Sequence, residues 1–166
     1  MKILAILYPG GEIAKNNPGL LGCAENAPTR KGQDAIRNAA LEIYSCQCAL
    51  CDINDRDMLQ ASHIGGWSTD VKNRGTLRNV ICLCVTHHRL FDLHRFTILG
   101  DYTVRFSSQF LDQCKNSKVS DAIKKLTKSR TRLPDDKRHH PDSELLRNHN
   151  KQFYINESNF MLKICK

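Results

Sequence analysis

Apolar positions along this chain recur at two periods, and the changes of period mark its elements. Between Asp34 and Ser45 they fall at Ile36, Ala39, Ala40, Ile43 and Tyr44, the spacing of one buried helix face. Leu59–Ile64 and Val80–Cys84 are short apolar runs that predict two strands, joined by the polar loop Asp70–Arg78. Thr86–Leu93 predicts a helix directly after the second strand. Phe96–Leu99 and Tyr102–Phe106 flank Gly100-Asp101, which predicts a hairpin with a two-residue turn and glycine first. Val119–Leu126 reads as a short amphipathic helix with Val119, Ile123 and Leu126 on one side. Leu133-Pro134-Asp135-Asp136 breaks the chain, and Ser143–Phe153 predicts a closing helix. At the other end, Met1–Tyr8 is apolar and reads as a buried strand, followed by a loop from Pro9-Gly10-Gly11. Short strand pairs flanked by helices make the expected fold class α+β, in one domain of modest core.

Charge narrows the choice of partner. The 166 residues carry a formal charge of +8, and the isoelectric point is about 9.2. That balance favours an anionic partner, DNA first, because lysine and arginine displace counterions from phosphates. A solvated basic surface is the alternative. The basic residues concentrate over 115–138, where Lys124, Lys125 and Lys128 share the polar face of the short helix. Arg74 and Arg78, in the loop between the first two strands, are further candidates for phosphate contact. No run is long enough to span a membrane and no signal peptide is legible, so a cytoplasmic, reducing setting is expected. There the eight cysteines point to metal before disulfides.

Cys48-x2-Cys51 and Cys84-x2-His87 are two ligand pairs separated by 32 residues. Each sits on a turn, and together they suit a tetrahedral Cys3His zinc site. The first turn leads into the first strand and the second into the helix, so Zn2+ there would staple both ends of the hairpin. Cys46 and Cys82 compete for the same places, since each lies two residues before a proposed ligand. Buried free thiols are the plain alternative. Cys23, Cys114 and Cys165 are isolated.

His63, Asn79, His88 and Asp92 follow one another at separations of 16, 9 and 4 residues. A neutral imidazole can take a proton from water, which hydrolysis of a phosphodiester requires, and His63 is the candidate. The Asn79 amide can hold the loop that bears His63, or accept from its ring. His88 and Asp92 share one side of a helix and suit a single Mg2+ or Mn2+. His87 and His88 point about 100° apart on a helix, so one can serve zinc and the other catalysis.

These residues also carry a resemblance. The run LQASHIGGW, with NVICLC and HHRLFDLHRFTI, resembles the core of the HNH (ββα-metal) endonucleases of the restriction type. RKGQDAIRNAALEIYSCQCALC is similar to the lead-in helix of that family, and TRLPDDKRHHPDSELLRNHNKQF to its closing helix. The resemblance spans about residues 30–154 and implies a small ββα-metal core with structural zinc, flanking helices and an extra β-hairpin. It implies a metal-dependent DNA endonuclease in which His63 is the general base, Asn79 the orienting residue, and His88 with Asp92 the ligands of Mg2+ or Mn2+. Many members place a metal-binding Asp or His just before the base, and this chain has Ser62. Glycine is common after Phe-Asp-x, where this chain has His94, read as a solvated helix end.

Residues 1–29 form a leader, and 155–166 a C-terminal tail, in this reading. The leader segment ILYPGGEIAKNNPGLLGCAENA resembles the N-terminus of NAD-dependent formate dehydrogenases. Larger HNH relatives carry a separate module for sequence recognition, so any recognition here is expected to come from the catalytic domain itself, a partner module or a homodimer. Two further readings follow from particular residues. Ser62 suggests a catalytically impaired, zinc-stabilised DNA-binding module, and the leader suggests an incomplete gene product.

Overall fold

Among the described residues, two separate antiparallel hairpins organise the fold, and helices cover them. The structure, a computed structural model, describes residues 30–118 and 120–164. The leader with its apolar Met1–Tyr8 strand and dehydrogenase-like run, and Cys23, Val119 and Cys165, lie outside the described residues. Helix α1 (Arg30–Ile43) comes first. The first hairpin pairs β1 (Leu59–His63) with β2 (Val80–Cys84) in the register Leu59↔Cys84, Ala61↔Cys82 and His63↔Val80. Helix α2 (Val85–Asp92) leaves β2 without an intervening residue. The second hairpin pairs β3 (Phe96–Ile98) with β4 (Val104–Phe106). Helices α3 (Ser108–Cys114), α4 (Ser120–Leu126) and α5 (Ser143–Ile164) complete the chain. The α+β class and the ββα core with an extra hairpin are what the patterning predicts.

All five residues of β2 are buried, so both faces of that strand are covered. Helices α1 and α2 both pack on the first hairpin. Ile36, Ala39 and Ala40 of α1 meet Leu77 and Val80 in one apolar cluster. Leu59, Ile81, Leu83, Phe91, Phe96, Ile98 and Leu146 belong to the larger one. Burying one such side chain contributes about 1.5–3 kcal/mol. The two clusters fix the hairpin between its helices, and the hairpin carries the candidate site.

The helix ends show how non-glycine residues set the chain direction. Helix α2 stops with Arg95 N–H bonded to Leu90 O and His94 N–H bonded to Phe91 O. His94 has φ 50° at this left-handed position, where glycine is the usual occupant. Its ring lies 4.4 Å from that of His149. The expectation of a solvated helix end is therefore corrected: His94 closes the helix and packs inward.

Three further expectations change. The second hairpin turns through three residues, because Leu99 N–H bonds Thr103 O and Tyr102 N–H bonds Leu99 O. The left-handed residue is Tyr102, at φ 66°, which replaces the two-residue turn with glycine first. Helix α3 was not foreseen; Ser107 starts it by accepting from Phe110 N–H at 3.2 Å, a local cap with little apolar periodicity behind it. Helix α5 runs on to Ile164 instead of ending at Phe153, since no glycine or proline interrupts 154–164.

Candidate active site and metal centre

The turn before β1 and the start of α2 meet at the open end of the first hairpin. Cys48, Cys51, Cys84 and His87 place one ligand atom each within 4.8 Å of one another. His87 Nδ1 lies 3.5 Å from Cys48 Sγ and 3.3 Å from Cys84 Sγ. The Cys51 and Cys84 sulfurs are 4.0 Å apart. A tetrahedral zinc ion with ordinary bond lengths needs edges of about 3.8 Å between sulfurs and about 3.5 Å from sulfur to nitrogen. The donor set and its spacing therefore fit Zn2+. Backbone N–H groups of Leu50 and Cys84 point at Cys48 Sγ from 3.5 and 3.2 Å. Burial opposes ionisation of Cys48, but the His87 ring and these two N–H groups outweigh it and bring the thiol to about 6. Burial pushes Cys51 up to about 12, and Cys84 upward as well.

The competing cysteines stand outside this knot. Cys46 Sγ accepts from Arg56 at 3.2 Å, and Cys82 is fully buried in the core. Arg132 is a member that sequence reasoning missed. Its guanidinium donates to the carbonyls of Cys48 and Cys51 and pairs with Asp52 at 3.1 Å. Sequence alone assigns Arg132 to a basic patch, because its partners lie some eighty residues away.

On the adjacent surface, a cleft of about 280 Å³ is lined by Gln33, Asp34, Ile36 and Arg37 of α1, by Gln60, Ala61 and His63 of β1, and by His88 of α2. His63 and His88 thus face one space from two elements. His63 is held on one side by the Arg74 carbonyl, 3.0 Å from Nε2. The other side meets the Trp67 ring edge-on at 5.1 Å. Burial is the largest influence on His63 and lowers its pKa, the carbonyl of Arg74 opposing it. That direction favours the neutral ring, the form that can act as a base.

Asn79 is fully buried, and its amide serves the loop. It accepts from Gly65 N–H at 2.7 Å and donates to the carbonyls of Gly65 at 3.1 Å and Asn73 at 3.2 Å. Of the two roles open from sequence, holding the loop behind His63 is the one seen; the ring donates to Arg74 instead. A Cβ on Gly65 would sit 2.6 Å from Asp70 Oδ2, so a side chain there would have to displace that carboxylate.

His88 Nε2 and Asp92 Oδ2 lie 3.0 Å apart across one helical turn. Adjacent ligands on an octahedral ion with bonds of about 2.1 Å are separated by about 3.0 Å, so the pair fits a hard divalent cation. His88 Nδ1 is buried and has no hydrogen-bond partner. Ser62, at the position where many HNH enzymes place a metal ligand, is fully buried with its hydroxyl unpartnered.

Known proteins resemble part of the chain in sequence and most of it in fold. Residues 48–99 match the family model described as HNH endonuclease. The matched segment begins at the first knot cysteine and ends past β3, taking in His63, Asn79, His88 and Asp92. The fold is also similar to a solved structure of a modification-dependent TagI restriction endonuclease, with TM-score 0.51 and 19% identity. That likeness, which is one of fold, covers 71% of this chain and 37% of the other. No curated protein matches the chain in sequence.

The candidate DNA contacts around the HNH segment divide by placement. Arg74 is only 8% exposed and lies 5.6 Å from the Trp67 ring centroid, so it buttresses the His63 loop from within. Arg78 pairs with Asp142 at 2.9 Å, tying the loop to the start of α5. Lys124, Lys125 and Lys128 are exposed, on α4 and its exit, an element that packs on α3. Among the described residues, no helix is long and apolar enough to cross a membrane.

Proposed function

We propose that this chain is a metal-dependent endonuclease that hydrolyses DNA phosphodiester bonds in the manner of restriction enzymes. The single observation that carries the reading is the cleft in which His63 of β1 and His88 of α2 face each other, with the cysteine knot closing the hairpin beside it. His63 is the general base. It takes a proton from the attacking water as the new P–O bond forms and the bond to the 3′ oxygen breaks. Asn79 keeps the loop closed so that His63 stays aimed. His88 and Asp92 hold the divalent cation, which when bound supplies charge for the phosphorane and the leaving oxygen. Cys48, Cys51, Cys84 and His87 hold zinc as a structural staple. The exposed Lys124, Lys125 and Lys128 position the duplex through its backbone. Recognition of a sequence or a base falls to a separate module or a second copy.

The unpartnered Ser62 hydroxyl favours a second reading, a DNA-binding module with impaired cleavage. One assay separates the two. Supercoiled plasmids, with and without modified bases, are incubated with purified protein and Mg2+ or Mn2+. The nuclease reading expects nicked or linear product with metal, none without it, and loss of product in His63→Ala while DNA binding survives. Binding without product under every condition favours the second reading.

A further inference from the structure

The cleft contains a cation that the HNH motif does not include. Arg37 sits on α1 beside the buried Ile36 and lines the same cleft as His63 and His88. Its Nε donates to Leu59 O at 3.1 Å, and its Nη2 donates to Arg56 O. These bonds occupy one edge of the guanidinium plane. Three of its five N–H groups have no protein partner among the described residues. Both partners are neutral carbonyls, and although Asp34 lines the same cleft, no carboxylate among the described residues forms an ion pair with Arg37. The other arginines near the site are engaged differently: Arg78 and Arg132 pair with carboxylates, Arg74 stacks on Trp67, and Arg56 bonds Cys46 and Asn38.

We propose that Arg37 is the phosphate-holding residue of the cleft, its free edge gripping non-bridging oxygens of the scissile phosphodiester beside His63. This rests on the nuclease reading above. Anchoring by β1 and by the preceding turn fixes the fork before substrate arrives, so little ordering remains to be done on binding. A planar fork matches two phosphate oxygens at once, and its hydrogen bonds strengthen as negative charge grows on them during attack. Lysine, a single charge point on a flexible stem, lacks the second contact.

The test compares the parent with Arg37→Lys and Arg37→Gln. Zinc content and thermal melting are measured first, then single-turnover nicking with Mg2+, then the salt dependence of duplex binding in magnesium-free buffer. The expected result is parental zinc content in both variants and nicking by Arg37→Lys at least ~100-fold slower, the scale of removing a transition-state donor. The slope of log affinity against log salt should stay parental in Arg37→Lys and fall by about one in Arg37→Gln. Nicking by Arg37→Lys within about threefold of parent, or an unchanged slope in Arg37→Gln, overturns the proposal; the threefold margin is below the 10²-fold or more expected for such a donor. Loss of zinc or of cooperative melting in step with activity also overturns it, because Arg37 is then a structural clamp on β1. If the parent itself cuts nothing, the nuclease reading fails, and the slopes alone decide whether Arg37 holds phosphate.

Discussion

The cysteine knot and the proposed catalytic cleft sit on one hairpin and are built on opposite terms. In the knot, four donors converge, carbonyls and N–H groups surround them, and an arginine clamps the turn from outside. At the cleft, His88 and its helix neighbour Asp92 are partly exposed, and the space between α1 and β1 is open. The first arrangement is complete without a substrate and the second is not. The difference teaches that the knot is satisfied by the protein's own groups, while under the nuclease reading the cleft leaves room for water and phosphate.

The sharpest way to break this comparison is to open the knot. Replacing Cys84 by serine, or stripping zinc with a chelator, is expected to abolish cooperative melting. Structural zinc supplies about 10–16 kcal/mol in small zinc-dependent folds, which exceeds the whole stability of a typical domain. Calorimetry with zinc analysis checks this; a chelated protein that melts as before contradicts it.

A smaller effect is expected where α5 locks onto α2. His149 stacks on Phe91 with ring centroids 3.9 Å apart, and its Nδ1 lies 2.8 Å from Thr97 Oγ1. Burial, with His94 nearby, lowers it to about 4. The folded pKa is depressed, so this contribution is complete above the unfolded value of about 6.5 and is lost as pH falls towards 4. The loss is on the order of 3 kcal/mol across that window. Denaturant melts at stepped pH should show the decline in the parent and a flatter profile in His149→Gln. Equal slopes contradict the assignment.

The smallest of these effects concerns the joint between the two regions. Asn79→Ala removes three hydrogen bonds from the His63 loop and leaves the part-buried Gly65 N–H without its acceptor. A cost of about 2–3 kcal/mol is expected. Nicking should fall while zinc content holds. Unchanged activity would mean that His63 is aimed without Asn79.

How much of this is legible in sequence depends on the range of the interactions. The knot is readable because each ligand pair lies within one turn, and His88 with Asp92 because one helical turn joins them. The main hairpin follows from two dense apolar runs. Arg37 and Arg132 are not readable: their meaning comes from carbonyls at Leu59, Arg56, Cys48 and Cys51 that only the fold brings close. Arg74 misleads for the same reason, since a loop arginine looks solvated until Trp67 covers it. The left-handed residues His94 and Tyr102 escape because neither is glycine, and packing decides whether such a residue is tolerated.

The claim at the centre is that this hairpin serves two ions of different character. Anomalous diffraction from crystals loaded with Zn2+ and Mn2+ tests it most directly. The account predicts a zinc peak among Cys48, Cys51, Cys84 and His87. It predicts a separate manganese peak within bonding distance of His88 and Asp92, in the cleft lined by His63. Manganese absent from the cleft, or bound only at the knot, would contradict it.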